Sequence, residues 1–205
     1  MVKIENVVLP SPEQWEAVIR GMRNPMNSWA RTDSYAIEEG FVVGDDDFTL
    51  MEKLAEAGTD HRKFLRMLVV YIDITAPLYW WKEFDTYKVG TVANSCSTMH
   101  KIHSKPFTLD DFSHERMSTI ALTVLRGVVD QLNDSRERYN KTHDVEDWDD
   151  MIQLLPSSYN QKRTVMLNYE VLRNMYRAHK HHKLDEWVSF CQQILALPYS
   201  DLITG

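Results

Sequence analysis

Eight histidines and two cysteines are the side chains of this 205-residue sequence best able to hold a metal or attack a substrate. His179, His181 and His182 cluster, and His100 and His103 stand three apart. Neither group has the HExxH pattern or a carboxylate at ligand spacing, so hydrogen-bonded or solvated histidines are expected and no metal. Cys96 has serine and threonine neighbours but no adjacent base, and reads as a structural or incidental thiol rather than a nucleophile. No GxSxG elbow supports a Ser/His/Asp triad. Tyr79, Trp80, Trp81 and Phe84 could stack a planar ligand, although aromatics at this point of a helix more often fill a core or subunit interface. The run Glu146-Asp147-Trp148-Asp149-Asp150 reads as a solvated loop or helix start.

The elements that must position these groups can be read in order. Residues 2–9 read as a first strand. Ser11 and Pro12 then suit an N-cap and first helical position, with Trp15, Val18, Ile19 and Met22 on one face and a stop at Asn24-Pro25. Residues 24–48 read as irregular, with a short strand at 41–43 and an acidic turn at 45–47. Helical spacing resumes at Leu50 and ends near Gly58. The β-rich run 64–74 predicts a central strand, Ala76-Pro77 a boundary, 78–87 a short helix and 88–112 a loop. Residues 117–132 hold the clearest helical pattern, with Ser113 as N-cap. A hydrophilic stretch, 133–150, leads to Leu154-Leu155-Pro156, and helices are expected over 165–177 and 184–195. The expected fold is α+β, a single mostly helical domain over 1–205 with a small central antiparallel sheet.

Composition removes several functions. Seven glycines and no GxGxxG or GxxxxGK[ST] exclude a Gly-rich phosphate loop. A net charge of −7, with 23 basic and 30 acidic residues, argues against nucleic-acid binding through a broad basic face. Two cysteines without CxxC spacing suit a reducing compartment. The opening Met1-Val2-Lys3-Ile4-Glu5 lacks a signal peptide's apolar run, and no 18-residue apolar stretch exists. A cytoplasmic protein without a membrane span is expected.

Two stretches point further. Residues 61–99, from His61 through Ala76-Pro77 to Met99, resemble the core of flavin-dependent thymidylate synthases, whose helix leads into RHRxxSxNExSxRY. Residues 155–179 resemble a second stretch of that family, with Leu155-Pro156 on its Leu-Pro, Asn168 on the Asn of N-x-R-x-L, and Leu172 and Asn174 continuing. In this register the motif is largely replaced. RHR becomes Thr86-Tyr87-Lys88, the first Ser is Thr91, Asn-Glu is Ala93-Asn94, the second Ser is Cys96, and Arg-Tyr is Thr98-Met99. An Arg-Gln pair of some members becomes Lys82-Glu83. The Arg of N-x-R is Glu170, a later Arg is His179, and the Arg before Leu-Pro is Ile152.

The resemblance implies FAD as a cofactor and a nucleotide-like ligand in a homo-oligomer, a tetramer in that family. By resemblance, His61, Lys88, Asn168, Asn174 and His179 would contact the flavin. Trp81, Lys82, Glu83, Thr86, Tyr87, Thr91, Asn94, Cys96 and Thr98 would line the substrate side. Several of the family's arginines hold phosphates, and a guanidinium's bidentate fork has no substitute in Thr, Ile or Glu. A glutamate where a phosphate would lie is repulsive by about 1–4 kcal/mol, and each lost charge-assisted contact removes about 1.5–3 kcal/mol. The replacements therefore argue against orthodox dUMP methylation. Three functions stay open: a divergent flavoenzyme using the cofactor's hydride chemistry; a non-catalytic nucleotide-binding or sequestering protein, phage-encoded sequestering proteins being one example; and an interaction module with no small ligand.

Overall fold

A computed structural model describes residues 2–38 and 40–205; Met1 and Glu39 lie outside the described residues. The sheet that organises the fold is built around β4 (Val69–Pro77). Val70, Ile72, Ile74 and Ala76 alternate along it and are fully buried, the period of two that a strand imposes. Four strands run in the order β1 (Lys3–Val8), β4, β6 (Asn160–Asn168) and β5 (Val92–Ser95), in an antiparallel sheet. A separate hairpin pairs β2 (Tyr35–Ile37) with β3 (Gly40–Val42).

By contact, the chain divides into two compact units, with divisions falling inside β1, β4, β5 and β6 and after Thr86. The first holds Met1–Lys3, Ile74–Thr86 and Asn94–Arg163, and the second Ile4–Asp73, Tyr87–Ala93 and Thr164–Gly205. In the first unit, α3 (Leu78–Phe84) follows Pro77 directly, and the long α4 (Thr119–Thr142) packs on α5 (Val145–Leu154). Its apolar cluster includes Phe107, Phe112, Leu125, Leu132 and Met151. In the second unit, α1 (Pro12–Arg23), α2 (Asp45–Glu56) and α6 (Tyr169–His179) pack around a 3-10 turn at Arg62–Arg66. α7 (Asp185–Gln193) and the short α8 (Asp201–Thr204) pack on α6.

The start of α1 follows the sequence expectation. Ser11 caps it, and Gln14 returns the bond to the Ser11 N–H at 2.8 Å. Other boundaries move. The acidic turn at 45–47 is the first turn of α2, where carboxylates favour the positive end of the helix dipole. Asp33 accepts from the Asp46 and Asp47 N–H groups, and the bond from Asp46 comes first in holding its carboxyl below its ordinary range. Residues 64–66 belong to the 3-10 turn, and the strand begins at Val69. α4 starts beyond Ser113, capped by Ser118, and continues ten residues past Leu132. α5 occupies part of the hydrophilic stretch, β5 part of the expected loop, and residues 165–168 finish β6 before α6 begins.

Candidate functional site

The expected site residues fall in both units. In the second, His61 is exposed just before the 3-10 turn and lines a cavity of about 1080 Å³ with Lys53, Lys63, Phe64 and Met67. Arg62 and Arg66 follow it on the same turn. Arg62 Nε donates to Glu170 at 3.0 Å, and Arg66 Nε donates to the other oxygen of that carboxylate. Burial alone would push the Glu170 carboxyl up, but Arg66 and Arg62 together hold it below the ordinary glutamate range. The family register puts Glu170 on the Arg of N-x-R, and its partners Arg62 and Arg66 lie outside that register's motif positions. The arginine pair four apart beside His61 was the available signal.

Around the motif segment, His179 is buried and its ring stacks on Trp187 at 3.9 Å and 15°. Tyr87 Oη lies 2.8 Å from His179 Nε2. Asn168 is the N-cap of α6, its Oδ1 accepting from Val171 N–H at 3.0 Å. Its amide nitrogen would stand 2.7 Å from a Cβ on Gly90, whose φ of +77° already favours glycine. Thr91 Oγ1 is buried without a hydrogen-bond partner among the described residues. Lys88 and Asn174 are exposed.

In the first unit, Trp81 is buried; its indole N–H donates to the Gln161 carbonyl at 2.9 Å. The Arg163 guanidinium stands over the Trp81 ring at 4.2 Å and also donates to Asp85 at 2.7 Å. Thr86 bonds back to the Glu83 carbonyl, ending α3, while Lys82 is exposed and Glu83 half-buried. Asn94 is exposed on β5 and Thr98 is half-buried beyond it.

Cys96 lines a cleft of about 690 Å³ that lies wholly in the first unit. Its N–H donates to the Lys162 carbonyl at 2.9 Å, and its carbonyl accepts from Gln161 Nε2 at 2.8 Å, which fixes the backbone carrying the thiol. Tyr159, His114 and Asn160 share the wall and were not singled out by sequence. Burial comes first in raising the Tyr159 phenol above its ordinary value. Lys105 and Asp111, also lining, bond at 2.6 Å. Burial opposes ionisation of Asp111, but bonds from Lys105 and the Thr108 N–H outweigh it and lower its carboxyl.

Neither the protein-family models nor the curated proteins give a match to this sequence. Solved structures do. A flavin-dependent thymidylate synthase, ThyX, from Helicobacter pylori complexed with FAD and dUMP superposes with a TM-score of 0.70 at 16% identity. That match covers 99% of this chain and 97% of the other. A second ThyX structure from the same organism, also with FAD and dUMP, gives 0.69 at 15% identity and covers all of both chains. The fold is that of flavin-dependent thymidylate synthase. A UMP/dUMP methylase, PolB, from Streptomyces cacaoi bound with 5-Br dUMP shares this thymidylate synthase fold, with a TM-score of 0.63 at 12% identity over 98% of this chain and 91% of that chain. The thymidylate synthase fold thus holds although its motif is largely replaced. No helix among the described residues is long and apolar enough to cross a membrane.

Proposed function

We propose that this is a divergent protein of the thymidylate synthase fold that binds a flavin, a nucleotide-like ligand or both, and does not carry out orthodox dUMP methylation. The observation that carries the reading is correspondence over the whole length with structures described as FAD and dUMP complexes. On the same ground, residues 1–205 act as one thymidylate-synthase-like domain.

The residues around His61 are compatible with a flavin. The cavity offers apolar walls at Phe64 and Met67 for a ring system, and Lys53 and Lys63 as point charges for an elongated anion. A bound flavin would supply hydride transfer, while the chain binds and orients. Lys88, Asn168, Asn174 and His179 remain the proposed companions of His61. The substrate side is proposed along Trp81, Lys82, Glu83, Thr86, Tyr87, Thr91, Asn94, Cys96 and Thr98.

The Glu170 clamp supports the negative half of the proposal. Two guanidiniums that could have formed forks for phosphate are already engaged by a carboxylate. The same clamp favours a second reading, a non-catalytic binding protein that holds a nucleotide-like molecule without reacting it. Purified protein that absorbs near ~450 nm, or gains that band with added FAD, supports the flavin reading. A colourless protein stabilised by a nucleotide but indifferent to FAD selects the second. Rescue of a thymidine-requiring strain would overturn the exclusion of dUMP methylation.

We also infer a homo-oligomer, a tetramer by resemblance, in a cytoplasmic setting. Ile120 and Val124, four apart at the start of α4, support association because both are exposed, with Met117 exposed just before the helix. Light scattering on purified protein should give a mass near four chains; a monomer at all concentrations would remove the oligomer.

A further inference from the structure

The cleft beside Cys96 differs from a phosphate site in three respects. No arginine lines it. Its lysines, Lys3, Lys105 and Lys162, are matched in number by Asp110, Asp111 and Glu115. Lys105 and Asp111 are bonded to each other. A phosphate dianion entering the cleft would meet three carboxylates and, among the described residues, no bidentate fork.

The neutral groups in the wall are better prepared. His114 Nδ1 lies 2.8 Å from the Phe112 carbonyl, so Nδ1 carries the donated proton and, in the neutral ring, Nε2 is the acceptor. Asn160 Oδ1 accepts from Ser113 at 2.8 Å, orienting its amide so that Nδ2 remains a donor. The Tyr159 ring packs edge-on against Phe112, with centroids 5.7 Å apart, and burial keeps its phenol protonated. Among the described residues, Tyr159 Oη, His114 Nε2, Asn160 Nδ2 and the Cys96 thiol make no hydrogen bond, although Tyr159 feels the charges of Lys105 and Asp111. Four neutral polar groups on ordered supports thus line one cleft of a size suited to a small ligand.

We infer that this cleft binds a nucleobase or nucleoside lacking a phosphate: a planar, neutral heterocycle whose edge alternates donors and acceptors. The inference rests on the nucleotide-like reading above and narrows it to the unphosphorylated class. A neutral ring can lie against Tyr159 and take hydrogen bonds from Asn160 and Tyr159 while donating to His114, without desolvating a charge.

The test uses full-length protein and two readouts, calorimetric binding and the rate at which iodoacetamide alkylates Cys96, followed by mass spectrometry. Cys191 serves as an internal control, since burial raises its thiol to about 11. Deoxyuridine and thymidine should bind and slow alkylation of Cys96 but not Cys191, with dUMP weaker by about tenfold or more. Tyr159→Phe, which keeps the ring packing, and Asn160→Leu should each weaken nucleoside binding about five- to tenfold. Unchanged melting of Tyr159→Phe would confirm that a loss is local. Binding of dUMP as tight as its nucleoside, or nucleoside binding indifferent to both substitutions, overturns the inference. If FAD or dUMP binds while nucleosides neither bind nor protect Cys96, this cleft is refuted and the broader reading stands. If neither nucleosides, dUMP nor FAD bind, both fall.

Discussion

The turn after His61 and the cleft beside Cys96 use polar residues in opposite ways. At the turn, charge is spent internally: Arg62 and Arg66 converge on Glu170, leaving that carboxylate ionised and nearly enclosed. In the cleft, Lys105 pairs with Asp111 and neutral donors and acceptors are left open. The resemblance places family motif positions in both regions, Glu170 in one and Cys96 in the other. At the first, Glu170 is held in an ion pair by Arg62 and Arg66. At the second, Cys96 presents an uncharged group beside Asn160 and Tyr159. A shared fold can therefore keep its frame while changing which charges face a ligand.

The sharpest break of that contrast is Glu170→Ala. It should cost about 2 kcal/mol in urea unfolding, between the small worth of an exposed pair and the roughly 3–5 kcal/mol of a fully buried one. If the loss is below about 0.5 kcal/mol, the clamp is not structural and the contrast fails. Gly90→Ala should cost about 1–2 kcal/mol, because it meets both a positive φ and the Asn168 amide. Glu170 also sets a pH dependence. Its folded carboxyl lies below the ordinary glutamate value, so its contribution is present above the unfolded value and disappears as pH falls through the folded one. Stability measured from pH 6 downward should decline less steeply in Glu170→Gln than in the parent. The smallest effect belongs to the open region: Cys96→Ser should change stability by less than about 0.5 kcal/mol, since the thiol is exposed. A larger loss would show that the cleft wall is structural after all.

What was legible in the sequence follows from how local each signal is. Ser11, Pro12 and Gln14 specify the start of α1 among themselves, so that helix was readable. Phe64, Leu65 and Leu68 look like strand residues by type, but their burial does not alternate, and they anchor a turn instead. β6 was hidden because its alternating positions include Gln161 and Arg163 as well as Val165 and Leu167. Those polar side chains fit a sheet only through distant partners, the Cys96 carbonyl for Gln161 and the Trp81 ring for Arg163. α5 was obscured by acidic residues on its exposed side, although Asp144 caps it and Met151 is buried. The overall frame was reached through spacing around Ala76-Pro77 and Leu155-Pro156, and the structural neighbours support it. Tyr159, His114 and Asn160 stayed unread, since neutral residues scattered over the chain carry no spacing signature until the fold assembles them.

The Asn168 side chain joins two segments by its two ends. Its oxygen caps α6, and its nitrogen occupies the space that a side chain at position 90 would need. Releasing the Gly90 segment therefore removes a neighbour that holds the cap in its rotamer, and losing the cap frees the segment. Backbone amides around 90–92 and at Val171 should open together in hydrogen exchange, sharing one opening free energy. That coupling makes the segment around Gly90 part of the cooperative framework of α6, a mechanical role that does not depend on any ligand.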